Sequence, residues 1–238
     1  MRAAQHRARM TEVSVVIPTM NEEASIGQVL EEVRAALARR DIEILIVDTE
    51  SKDRTRDIAA TKGARVVSEG RRGYGRAYKT GFAAARGKYI ATLDADLTYP
   101  ADRLPEFLAA LDEDRADFVS GERISRLQPG AMTGMHRVGN EILNAASRVL
   151  FGSRIRDSQS GMWAFRREIL PRLHLIHDGM AFSEELKLEA IRAGFRLLEI
   201  PIDYRLRVGE KKIRSVGDAT QNLVWLLRKR FGWVPGPR

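Results

Sequence analysis

The sequence predicts an α/β domain, a mostly parallel sheet with helices on both faces. Two patterns and a size predict it. Short apolar, β-branched runs alternate with stretches of helical periodicity through the first half of the chain. Strands alternating with helices in this way pack as a sheet covered on both sides. The 238 residues, 44% of them hydrophobic, suffice for one large core.

The elements follow in order. Val13 to Ile17 is a β-branched strand that Pro18 is expected to stop. Ser25 to Arg39 carries Ile26, Val29, Leu30, Val33 and Leu37 at helical spacing. Ile42 to Val47 is a second strand, ending in Asp48, and the polar turn "TESKD" leads to a helix over Arg54 to Lys62. Ala64 to Val67 is a third strand. Gly73 to Arg86 is a loop running into a helix, and Lys88 to Leu93 is the fourth strand. A helix over Leu104 to Leu111 and a strand over Asp117 to Ser120 close the regular half. Beyond it, helices are expected over Met132 to Leu150, Glu184 to Ala193 and Ser215 to Phe231, and strands over Gly161 to Phe165 and Phe195 to Ile202. This divides the chain into a flexible arm (1–12), one domain (13–233) and a tail (234–238).

Composition narrows the function. Without cysteine there are no disulfides, thiolate metal sites or cysteine nucleophiles, which fits a reducing compartment. No apolar run reaches the roughly 18 residues of a membrane span. The basic start "MRAAQHRARMTE" lacks the apolar stretch of a signal peptide. The net charge of +8 suits phosphates or an anionic membrane surface. Little aromatic-basic interleaving and no zinc-finger or recognition-helix pattern argue against nucleic acid.

In open α/β sheets, ligands bind beyond the carboxyl ends of strands. Three such ends carry polar or acidic groups: Pro18-Asn21-Glu22, Asp48, and Asp94-Asp96 in "YIATLDADLTYP". Mg²⁺ and Mn²⁺ prefer oxygen ligands and bind through one or two carboxylates plus substrate phosphates. Asp94 and Asp96 are therefore candidate metal ligands. D-x-D-x-T also fits the nucleophile of a haloacid-dehalogenase-type phosphatase. That nucleophile follows the first strand of its core, whereas here three strand-helix units come first, and Asp112 and Asp114 are poor counterparts of its later acids.

Further segments favour the other chemistry. "VVIPTMNEE" resembles the opening of inverting family 2 glycosyltransferases, "ILIVDTESKDRT" their V-D-D-x-S-x-D-x-T segment, and "GYGRAYKTGFAAARGKYIATLDADLTYP" their G-L-G-x-A-Y-x-x-G and D-A-D-L boxes. "GERI" with "HRVGN", "DSQSGMWAFRRE" and "YRLRVGEKK" resemble their acceptor-side arginine segment, D-x-x-S-G-F-x-A-F box and R-x-G-x-S-K loop. In this order, over about 13–233, they resemble the polyprenyl (dolichol) phosphate mannosyltransferase branch. The resemblance implies a GT-A-like fold with a C-terminal acceptor-side extension. It implies transfer, with inversion, of a hexose from a nucleoside diphosphate sugar to a polyprenyl phosphate. Guanosine diphosphate mannose is the first expectation for the donor, and uridine diphosphate glucose or N-acetylglucosamine the second. Transfer to a sugar or small-molecule hydroxyl, or a non-catalytic nucleotide-sugar-binding subunit, are the alternatives.

The implied roles are these. Pro18, Asn21, Glu22 and Asp48 line the nucleotide, and Asp94 and Asp96 hold Mg²⁺ or Mn²⁺ on the diphosphate. Arg123 and Arg137 meet the acceptor phosphate and donor diphosphate, and Arg207 and Lys212 close over the phosphates. Ser160 and Gly161 shape the sugar pocket. Glu185 binds a sugar hydroxyl or acts as a base, although acids at a helix start are also simply favourable there. Departures from the family pattern are Thr49-Glu50 in place of D-G or D-N, Met20 for an aromatic, Thr98 for glutamine and Lys211 for serine.

A lipid acceptor requires the bilayer surface. The last helix, with "NLVWLLRKRFGW", and the helix over Met132 to Leu150 are candidate contacts. The expectation is a cytoplasmic protein, peripheral at the cytoplasmic face of a membrane or held there by a separate membrane subunit.

Overall fold

The computed structural model describes residues 11–209 and 215–232, with no side chains described for 215–219. Lys211, Lys212 and the tail lie outside the described residues.

Seven strands form one sheet: β1 (Val13–Thr19), β2 (Ile42–Asp48), β3 (Arg65–Ser68), β4 (Tyr89–Thr92), β5 (Phe118–Glu122), β6 (Trp163–Arg166) and β7 (Leu197–Pro201). Their order is β3-β2-β1-β4-β6-β5-β7. Only β6 runs against its neighbours, pairing antiparallel with β4 and β5. The described helices are α1 (Ile26–Ala36), α2 (Thr55–Thr61), α3 (Tyr74–Ala84), α4 (Leu104–Asp112), α5 (Gly134–Phe151), α6 (Phe182–Arg192) and α7 (Ser215–Arg230).

Side chains alternate across the strands, so each strand feeds two cores. Val13, Val15 and Ile17 of β1 pack with α1 and α4 on one face. Val16 of β1, with Leu45 and Val47 of β2, packs with Tyr78, Phe82 and Phe182 on the other. Burial of each such side chain contributes about 1.5–3 kcal/mol. A third cluster, including Leu143 of α5, Leu188 of α6 and Trp225 and Leu226 of α7, attaches the C-terminal helices.

Two expected boundaries move. Pro18 lies inside β1, paired with Val47. It is tolerated because the β1–β4 ladder ends at Val16, so the missing N–H faces no partner strand there. Glu12, expected in the arm, is joined to the domain: its N–H donates to the Asp41 carbonyl (2.9 Å) and its carboxylate pairs with Arg40.

The order β2-β1-β4 reverses direction of winding at β1. Ligands of open α/β sheets bind at such a switch point, beyond the strand ends. Three non-glycine residues there have left-handed backbones: Asn21 (φ 54°), Glu50 (φ 52°) and Leu97 (φ 65°), one after each of β1, β2 and β4. Such conformations cost about 1–3 kcal/mol each and persist where the surroundings impose them.

Candidate active site

The β1 and β2 ends are laced together. Thr19 and Asp48 pair across the ladder, and the Thr19 hydroxyl donates to the Asp48 carboxylate at 3.1 Å. Ser51 donates to the same carboxylate from its backbone N–H (3.1 Å) and its hydroxyl. The Asn21 N–H donates to Ser51 Oγ (2.8 Å), and the Lys52 N–H to Asn21 Oδ1 (2.7 Å). Asp48 is thus a buried anchor holding two loops in register. Glu69 does similar work after β3. Its carboxylate accepts from Arg76 and Thr80 of α3, while its N–H donates to the Asp48 carbonyl.

Beyond β4, Asp94 accepts from the hydroxyls of Tyr74 (3.2 Å) and Tyr78 (3.4 Å). Burial, then the neighbouring Asp96 charge, raises its pKa to about 7, against the opposing pull of Arg207 and Arg123. Asp96 accepts from the Thr98 hydroxyl (2.6 Å) and N–H (3.1 Å). Thr98, a departure from the family pattern, therefore orients the second carboxylate.

The segment 205–208 docks on this turn. The Arg205 N–H donates to the Thr98 carbonyl (2.9 Å) and the Val208 N–H to the Asp96 carbonyl (3.0 Å). Arg207 is thereby held between Asp96 (3.2 Å) and Glu22 (3.3 Å). One guanidinium links the β1 and β4 loops.

Behind the carboxylates, Arg123 makes a bidentate pair with Asp157 (2.7 and 2.8 Å), and its N–H donates to the same group. Both side chains are buried, and the Arg123 guanidinium lies 5.2 Å from the Tyr204 ring centroid. Asp157 is held below the ordinary carboxylate range: the Arg123 charge and hydrogen bonds prevail over its burial. Gly161 is required by its neighbours. A Cβ there would lie 2.1 Å from the Tyr74 hydroxyl oxygen. Its N–H donates to the Tyr99 hydroxyl (2.7 Å), and its carbonyl accepts from Thr92 (2.8 Å).

The structure thus brings together Pro18, Asn21, Glu22, Asp48, Asp94, Asp96 and Arg207 at the strand ends, with Gly161 against Tyr74 and Tyr99, and buried Ser160 accepting from the Trp163 indole through its carbonyl. It corrects two expectations. Arg123 does not present its fork to a ligand, because Asp157 occupies it. Glu185 is no free base: its oxygens accept from the N–H groups of Ile176 (3.2 Å) and His177 (2.9 Å), with Lys229 at 3.6 Å. Arg137 lies exposed in the first turn of α5 and makes no ion pair among the described residues. Lys212 lies outside them. Sequence reasoning missed Glu69, the Tyr74-Tyr78-Tyr99 hydroxyls and the Asp157 pairing. "DSQSG" held the signal for Asp157. An open groove of about 560 Å³, lined by Arg154, Arg156, Phe195 and Glu199 together with the ends of β5 (Glu122) and β7 (Pro201), contains none of the residues that follow β1, β2 and β4.

The donor set fits a hard divalent cation. Asp94 and Asp96 offer carboxylate oxygens two residues apart, and a cation would offset both the burial and the Asp96 charge that raise the Asp94 pKa to about 7. The Arg207 guanidinium already places positive charge on Asp96. Among the described residues no group of three acids or histidines forms a closed metal cage. Two carboxylates completed by substrate phosphate is the usual pattern for Mg²⁺.

A mostly parallel sheet with an acidic pair and an arginine at its switch point defines an α/β protein whose site suits a divalent cation and a phosphorylated ligand. The chain belongs to glycosyl transferase family 2, whose family model matches residues 14–173. It is 37% identical over 226 residues to the low-salt glycan biosynthesis hexosyltransferase Agl6 of Haloferax volcanii, an alignment covering 93% of this chain and 54% of that protein. It is 37% identical over 204 residues to the dolichyl-phosphate hexose transferase of the same organism, covering 85% and 86%. The chain therefore spans about half the length of the first relative. In fold it matches glucosyl-3-phosphoglycerate synthase of Mycobacterium tuberculosis, solved with Mn²⁺, uridine diphosphate and glucosyl-3-phosphoglycerate, with TM-score 0.75, 24% identity, and 95% and 81% of the two chains covered. No helix among the described residues is long and apolar enough to cross a membrane.

Proposed function

We propose that this protein transfers a hexose, with inversion, from a nucleoside diphosphate sugar to a polyprenyl phosphate. The observation that carries the reading is the Asp94–Asp96 pair at the switch point, with Arg207 seated on Asp96 and joined to Glu22. The name of the dolichyl-phosphate relative supports the acceptor class.

In this reading Asp94 and Asp96 hold Mg²⁺ or Mn²⁺. When bound, the ion neutralises charge that gathers on the departing nucleoside diphosphate. Glu22, Asn21, Asp48 and the β1–β2 loops receive the nucleoside. Arg207 leaves Asp96 for the donor diphosphate, exchanging one anionic partner for another. A phosphate oxygen of the acceptor attacks the anomeric carbon from the face opposite the diphosphate, whose bond to that carbon breaks as the new bond forms. A polyprenyl phosphate is anionic near neutral pH, so the attack needs no proton removed. The engagement of both Glu185 oxygens agrees with this, since a hydroxyl acceptor would call for a free base. Arg137, exposed on α5, is free to meet the acceptor phosphate. Arg123, held by Asp157, contributes a fixed positive charge behind Asp94.

Guanosine diphosphate mannose remains the first candidate donor, with the uridine diphosphate sugars next. The test is incubation with labelled nucleotide sugars, Mg²⁺ or Mn²⁺ and a polyprenyl phosphate. Label is expected in the organic phase, and none with Asp96→Ala, which should keep its fold by circular dichroism. Transfer only to a soluble hydroxyl acceptor, or an active, metal-independent D96A protein, overturns the reading.

A further inference from the structure

The proposed transfer leaves the open groove beside β7 unused. It measures about 560 Å³, within the roughly 300–1,000 Å³ of small-molecule sites. Its lining combines two chemistries. Ile191 near the end of α6, with Phe195 and Leu197, gives a wall of half-buried apolar side chains. Arg154 and Arg156, in the loop after α5, supply positive charge.

The local fold explains why both arginines emerge on the groove side. Burial alternates along this segment: Ser153, Ile155 and Asp157 are buried, and Arg154 and Arg156 are exposed. Ile155 packs with Leu143, Leu188 and Leu226, and Asp157 pairs with Arg123. The intervening backbone is pinned as well. The N–H groups of Arg156 and Asp157 donate to the two Glu199 carboxylate oxygens (2.7 and 3.0 Å), and the Asn144 amide donates to the Arg156 carbonyl (2.7 Å). A fixed frame presents the two guanidinium groups, so less ordering remains for a ligand to impose.

Those guanidinium groups have no hydrogen bond or ion pair among the described residues. Arg123, Arg166, Arg196 and Arg207, by contrast, all sit on carboxylates. The acids of the groove do not claim the two arginine side chains. Glu199 is engaged by backbone N–H groups, and buried Lys187 acts on its charge. Glu122 is buried and accepts from the N–H groups of Ile124 and Ser125 and from the Ser125 hydroxyl. The unused donors of the groove are therefore cationic.

Two guanidinium forks match a doubly charged oxyanion, which each can meet through paired N–H donors. A phosphate monoester carries about −1.5 to −2 near neutral pH. The apolar wall beside the arginines calls for a hydrocarbon or aromatic body on that phosphate. We propose that the groove is a second ligand site, taking a phosphate monoester with an apolar body: the phosphate on Arg154 and Arg156, the body on Ile191, Phe195 and Leu197. The occupant is neither donor nor acceptor of the transfer. Asp157 turns inward to Arg123 while Arg154 and Arg156 point the other way, and no residue of the carboxylate turn lines the groove.

The test uses 1-naphthyl phosphate as the probe, titrated into the full chain by calorimetry and followed by amide chemical shifts. Inorganic phosphate and 1-naphthol serve as its two halves. The probe is expected to bind at least about tenfold more tightly than either half, with shifts centred on 152–157 and 195–199. The R154Q/R156Q variant changes only exposed side chains and should keep its melting temperature while binding the probe at least about tenfold more weakly. Absence of binding, or inorganic phosphate or 1-naphthol binding as tightly as the probe, overturns the proposal. So does binding that the double variant leaves undiminished, or shifts centred on residues 94–98, because either places the probe elsewhere. None of these measurements involves glycosyl transfer, so the site stands or falls separately from the proposed function.

Discussion

Replacing Gly161 by alanine places a methyl carbon 2.1 Å from the Tyr74 hydroxyl oxygen, well inside contact distance. Tyr74 cannot simply swing away. Its ring stands edge-on to Tyr78 at 4.9 Å, and its hydroxyl is the 3.2 Å donor to Asp94. Overpacking of this kind costs about 1–3 kcal/mol. For a domain of this size, each kcal/mol lowers Tm by about 2–4 °C. The displaced hydroxyl also deprives Asp94 of a donor. Gly161→Ala should therefore lower both Tm and affinity for Mn²⁺ with nucleoside diphosphate, measured by differential scanning fluorimetry and isothermal titration calorimetry. A second substitution makes the reasoning refutable. In a Tyr74→Phe background the nearest ring carbon, Cζ, would lie 3.4 Å from the new methyl, close to an ordinary contact. The double variant should then be no less stable than Y74F, a coupling of about 1–3 kcal/mol in the double-mutant cycle. Additive losses would show that the hydroxyl clash is not what excludes a side chain at 161.

Glu50 occupies a left-handed backbone (φ 52°) with its side chain exposed, so Glu50→Gly should raise Tm by about 2–4 °C, corresponding to roughly 1 kcal/mol. An unchanged or lowered Tm would indicate that the conformation carries no strain. Asp157→Asn removes the charge opposite buried Arg123 and should cost about 3–5 kcal/mol, read as a fall in urea midpoint at pH 7. Because the Asp157 pKa is depressed, its contribution is present above its unfolded value and lost as pH falls through the folded one, so the difference between parent and D157N should shrink in acid. Asp94 has the opposite sign. Its raised pKa gives stability that is full below 3.8 and lost as pH rises through about 7, where the ionised group becomes available to a cation. The Tm gain from Mn²⁺ should accordingly be small at pH 5.5 and grow through pH 7 to 8; a gain independent of pH would remove Asp94 from the metal site.

Much of this site was legible in the sequence because its parts sit where strands end. The apolar runs locate β1, β2 and β4, and the acids that follow them have nowhere to go but the carboxyl edge of the sheet. The departure Thr49-Glu50 was visible as well, and the backbone explains it: the glycine or asparagine usual at the position of Glu50 suits its positive φ. What escaped was long-range pairing. Arg123 reads as a phosphate ligand until Asp157, 34 residues on, closes its fork. Glu185 reads as a base until two backbone N–H groups from 176 and 177 claim its oxygens. Pro18 reads as a strand terminator because the sequence does not reveal that its neighbour β4 has already ended. Exposure is only half legible: the apolar stripe of α5 suits a core face as well as the bilayer contact expected of it, and the packing shows that Met135, Val138 and Ile142 remain outside.

The reversed strand β6 has a consequence for biogenesis. A nascent chain can assemble β3-β2-β1-β4 once the first hundred residues have emerged. The outer edge of β4 then waits for Trp163–Arg166, about seventy residues later in synthesis. Through that interval Tyr89–Thr92, an apolar strand, presents unpaired N–H and carbonyl groups to whatever is nearby. The ribosome-bound intermediate is therefore where this protein is most exposed to misassembly, and its carboxylate turn is framed on both sides only after β6 arrives.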